Sequence, residues 1–93
     1  MEFEGLPGAG LIEQGLADLA RSEETVPSLL VSIGFPRLRL LGIGVPPPIP
    51  DAERRLYHLL ALDGTDSAHG RFNALVRTLA SFERAAAPRS RAA

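Results

Sequence analysis

Positions 45–50 read Val-Pro-Pro-Pro-Ile-Pro, and no other stretch of this 93-residue chain restricts the fold so severely. Each proline locks φ near −65° and lacks a backbone N–H, so the run can be neither helix interior nor central strand. It predicts an extended, polyproline-like connector with Val45 and Ile49 tucked inward. The segments on either side are each too small to hold a secure core alone. Residues 1–93 are therefore read as one domain, with 45–50 as a spacer inside it rather than a boundary.

The material for the core is mostly leucine: fifteen Leu against four Ile, four Val and four Phe. A leucine-rich, β-branched-poor composition favours helices packed on helices. Apolar residues Leu11, Ile12, Leu16, Leu19 and Ala20 recur at helical spacing, predicting a helix over Leu11–Arg21. Gly15 falls on the same face as Leu11 and Leu19, where a missing side chain suits a close helix crossing. Thr25 reads as an N-cap with Pro27 in the first turn, starting a short buried helix that ends at Gly34. A further short helix is expected from Arg37 to Leu41, closed by Gly42. Leu29, Val31 and Ile33, with Leu38 and Leu40, also alternate with period two. A hairpin over 29–41, giving an α+β fold, is thus the alternative.

Beyond the prolines, Asp51 is expected to cap a helix through Leu62, with Leu56, Leu59 and Leu60 facing inward and Gly64 as the stop. Asp66 or Ser67 is expected to cap the longest helix, which runs to about Ala87 on the stripe Ala68, Phe72, Leu75, Val76, Leu79, Phe82 and Ala86. Pro88 should end it. The fold class that follows is an all-α bundle of four to five helices, the last two forming an antiparallel pair. Residues 1–9 are expected to be a flexible N-terminus and 88–93 a disordered tail.

Composition also removes whole classes of chemistry. With no cysteine, a disulfide scaffold, thiolate catalysis, zinc-finger sites and iron–sulfur clusters are excluded. All ten basic residues are arginine, which excludes a Schiff-base or P-loop lysine. The same bias fits the codon usage of a GC-rich bacterial genome. The formal charge is −1 and the pI about 6.1, so no bulk attraction to nucleic acid or anionic membrane exists. No apolar run approaches the ~20 residues of a membrane span, and the first five residues are acidic where a signal peptide is basic. A soluble cytoplasmic protein is the expectation. No Walker, GxGxxG, HExxH or GxSxG pattern is present, so no cofactor or metal is expected and catalysis is disfavoured.

Three places could still carry function. His69, Asn73 and Arg77 stand at i, i+4 and i+8 at the start of the last helix, beside Arg71 and Gly70. Imidazole, amide and guanidinium next to a helix N-terminus suit a phosphate or carboxylate, or a catalytic centre on His69. Residues 25–42 have the outline of a helix-turn-helix, with Arg37 and Arg39 as candidate nucleic-acid contacts. Residues two apart on a helix point about 200° apart, however, which weakens that reading. Arg71, Arg77 and Arg84 with Phe72 and Phe82 give the last helix the aromatic and Arg content enriched at protein interfaces. The leading expectation is a non-enzymatic interaction or regulatory module whose partner is another protein or a second copy. A nucleic-acid-binding regulator, and a ligand site at His69, are the alternatives.

Overall fold

The computed structural model describes residues 3–92, with the side chains of residues 91 and 92 left aside. Five helices follow in order: α1 (Ala9–Ala20), α2 (Val26–Ile33), α3 (Phe35–Leu40), α4 (Ala52–Ala61) and α5 (Thr65–Ala92). There is no strand among the described residues, so the hairpin alternative over 29–41 is replaced by α2 and α3. The deciding residue is Leu30. An alternating strand would turn it away from Leu29 and Val31, yet all three are fully buried, as in a helix apolar on every side.

α2 is the centre of the bundle, packed by α1, α4, α5 and α3. Its start is the capping box that Thr25 and Pro27 foretell. The Ser28 N–H donates to Thr25 Oγ1 at 3.1 Å, and the Thr25 N–H donates to Ser28 Oγ at 2.8 Å. α1 crosses α2 at Gly15, where a Cβ would sit 2.3 Å from the Pro27 carbonyl oxygen. Only glycine allows that approach, as its place on the apolar face suggests.

The proline run is extended and lies along the bundle, with Val45 and Ile49 half-buried against the core. One hydrogen bond pins it. Ser32 Oγ donates to the Ser28 carbonyl at 2.8 Å and accepts from the Ile49 N–H at 3.0 Å. A buried hydroxyl in the central helix thereby satisfies a donor on a segment whose prolines can form no ladder.

Several boundaries differ from expectation. α5 starts at Thr65, so Asp66 lies inside its first turn, and Ser67 Oγ donates to the Gly64 carbonyl at 3.2 Å instead of capping. Asp51 does occupy the N-cap of α4, but at φ 62° and without a side-chain cap; its carboxylate pairs with Arg54. Pro88 does not end α5, and the expected disordered tail is helical to Ala92. Pro88 is exposed and removes only the bond to the Arg84 carbonyl, while alanines at 85–87 favour helix on its N-terminal side.

The N-terminus is likewise packed, although residues 1 and 2 of that expected flexible segment lie outside the described residues. Phe3 is 2% exposed and meets Phe82 edge to face at 6.0 Å. Arg89 Nη1 donates to the Glu4 carbonyl at 3.1 Å. Gly8, at φ 76°, lets the chain pass over Thr78, where a Cβ would stand 2.7 Å from Thr78 Cγ2. A lone aromatic in a polar, glycine-rich stretch gives no periodic signal, which is why the sequence does not reveal this docking.

Candidate interaction surface

At the start of α5 the structure brings together two of the four residues singled out there. Asn73 Nδ2 donates to His69 Nε2 at 3.2 Å, which keeps that ring nitrogen as an acceptor. The Tyr57 ring from α4 lies 6.4 Å from His69 and 5.8 Å from Phe72, so the imidazole belongs to an exposed aromatic seam between α4 and α5. Arg71 turns to Asp63 across the α4–α5 turn, at 3.6 Å. Arg77 stands exposed farther along the helix. The acidic Asp66 in the first turn occupies the position from which an anion would be drawn.

Arg37 and Arg39 diverge. The Arg39 guanidinium lies 5.6 Å from the centre of the Phe35 ring, on the side of the proline run, while Arg37 faces α5. α2 and α3 are separated by Gly34 alone, and α3 has six residues, too short to lay a reading face along a groove of DNA. Among the described residues no three His, Cys, Asp or Glu side chains converge as metal ligands.

Asp18 is the most heavily bonded side chain. It is 5% exposed and accepts from Thr25 Oγ1 at 2.7 Å, Gln14 Nε2 at 2.8 Å and Arg21 Nη2 at 2.6 Å. The Thr25 and Gln14 hydrogen bonds, aided by Arg21, hold its carboxyl below the usual carboxylate range against the opposing effect of burial. Every donor around it belongs to α1 or the α1–α2 turn. Its work is therefore to join these helices, and nothing is left over for a ligand.

Several surface grooves carry charge beside apolar side chains, among them two that lie away from the proline run. The first, about 430 Å³, lies along α4 between Arg55, His58, Leu59 and the 71% exposed Leu62. Its charges are already matched, with Arg55 Nη1 2.8 Å from Glu24 and Arg54 paired with Asp51.

The second, about 460 Å³, runs between α3 and α5. α3 and its C-cap supply Arg37, Leu40 and Leu41; α5 supplies Ala80, Glu83 and Arg84, followed one turn on by Ala87. Leu40 is 85% exposed at its lip. Glu83 is 9% exposed, with an oxygen close over Gly34, and burial pushes its carboxyl above the ordinary range although Arg37 opposes this. The side chains of Glu83, Arg37 and Arg84 form no hydrogen bond or ion pair among the described residues. Sequence reasoning missed Glu83 and Leu40. The available signal was the spacing 80/83/84/87, which sets a carboxylate into the apolar side of α5.

These features define a five-helix all-α domain with a groove between α3 and α5 where Leu40, Arg37, Arg84 and Glu83 meet. The chain matches no family model, no curated protein and no solved structure.

Proposed function

We propose that this chain is a small non-enzymatic module that acts by contacting a protein through its α3/α5 face. The observation that carries this reading is Leu40, 85% exposed beside a groove in which Glu83 accepts no hydrogen bond among the described residues. Burying a leucine side chain is worth roughly 1.5–3 kcal/mol, and a guanidinium brought to Glu83 adds a charge-assisted hydrogen bond. A partner covering this face gains both at once. Arg37 and Arg84 at its edge are of the residue type enriched in protein interfaces. The α4 groove, whose charges are matched within the chain, has less to gain.

No helix among the described residues is long and apolar enough to cross a membrane. A cytoplasmic setting, in a bacterium, is the reading that the cysteine-free and lysine-free composition supports.

The test is photo-crosslinking in the native cells. A benzophenone amino acid at position 40 is expected to give a defined protein adduct that an added Arg84→Glu change abolishes. The same probe at the exposed Ala74 should give none. Equal labelling from 40 and 74, or no adduct from 40, would defeat the proposal.

A further inference from the structure

Resting on the reading of the α3/α5 face as an interaction surface, we infer that its occupant is a second copy of this chain. The two copies dock about a two-fold axis, Leu40 of each filling the groove of the other and Arg84 of each meeting the other's Glu83.

The patch carries both signs and both shapes. It offers a projecting leucine and a groove of about 460 Å³, two unpaired guanidinium groups and one unpaired carboxylate. An acidic peptide would bring like charge against Glu83, and a basic one would first meet Arg37 and Arg84. The fitting occupant presents an apolar knob and a cation together, with room for an acid nearby. A second α3/α5 face presents that set, and a two-fold interface pairs each feature of a patch with its complement on the same patch.

Glu83 supplies the second, independent pointer. It is 9% exposed, lines the groove and accepts no hydrogen bond among the described residues, while its carboxylate oxygens still open to solvent, so a guanidinium arriving from outside can complete a charge-assisted pair there. Leu40 and Leu41 would then be covered by the Ala80 and Ala87 side of the other copy's α5.

Sedimentation equilibrium of the purified chain is expected to show a monomer–dimer equilibrium. Leu40→Glu and Arg84→Glu should each weaken the dimer at least about tenfold, with the helical circular-dichroism signal unchanged. The natural lack of cysteine gives a second readout that does not depend on those variants. Leu40→Cys and Ala80→Cys proteins, purified separately and mixed under mild oxidation, should form a mixed disulfide between copies. A Leu62→Cys control paired with Ala80→Cys should form far less.

A chain that stays monomeric at all concentrations, or a 40–80 disulfide no more abundant than the control, overturns the second copy as occupant. The interaction reading itself would then still stand or fall separately, on whether position 40 crosslinks a different protein in cells.

Discussion

Gly15 and Asp18, three residues apart on α1, show how much single side chains decide here. Gly15→Ala would gain up to about 1 kcal/mol of helix propensity. It would also press a methyl group to 2.3 Å from the Pro27 carbonyl, so α1 and α2 must separate. A net loss of about 1–3 kcal/mol is expected in urea unfolding. A neutral or stabilising result would mean that the crossing is looser than described.

Asp18 and Glu83 give opposite pH dependences. The folded-state pKa of Asp18 is depressed, so its contribution is present above the ordinary value of 3.8 and is lost as pH falls through the folded value. The folded-state pKa of Glu83 is raised above 4.5, so the folded chain is penalised as pH rises from there through the folded value. At protein concentrations below self-association, Glu83→Gln should thus gain stability relative to the parent between pH 4.5 and neutrality. Asp18→Asn should lose stability at neutral pH, with the difference closing in acid. Denaturation midpoints across pH read both, and parallel curves for Glu83→Gln and the parent would contradict the account.

At the scale of the elements, the α2 start and the α1–α2 turn form one unit. Thr25→Ala removes the capping box, worth about 0.5–2 kcal/mol, and with it the hydroxyl that donates to Asp18. The variant should therefore lose stability and also show an Asp18 carboxyl titrating closer to its ordinary value, as read by NMR. Half of this unit was legible beforehand. Thr25 followed by Pro27 is a local start signal, governed by nearby backbone, whereas Asp18 gains its role from a turn that brings position 25 back beside it.

The same division recurs along the chain. Gly15, the inward Val45 and Ile49, and the helical stripe of α5 express burial periodicity, which a linear pattern records. The start of α5 at Thr65 and its continuation past Pro88 rest on local backbone bonding and the alanines at 85–87, but the docking of Phe3 depends on a partner distant in sequence. So does the α3/α5 groove, because neither 37/40/41 nor 80/83/84/87 is unusual until the two faces lie side by side. His69 and Asn73 were rightly paired by i, i+4 spacing, but Asp63 and Tyr57, which define their surroundings, come from the preceding helix and turn.

At the scale of the whole molecule, the longest dimension is 42 Å, which is what 28 residues of α5 span at ~1.5 Å each. α4 packs along this rod and α2 touches it, α1 and α3 gather on α2, and the proline run returns the chain from α3 to α4 across the bundle. Ser32→Ala should release that run. With the Ile49 N–H left unpaired, a loss of about 1–3 kcal/mol is expected, with faster amide exchange confined to the non-proline residues of 43–49. Uniformly faster exchange across all helices would instead mean that the hydroxyl supports the core as a whole.

The bond from Arg89 to the Glu4 carbonyl, with Phe3 seated on Phe82, sets the beginning and end of the described chain side by side. The segment before α1 and the C-terminal turns of α5 thus brace one another, so that loss of either contact loosens both.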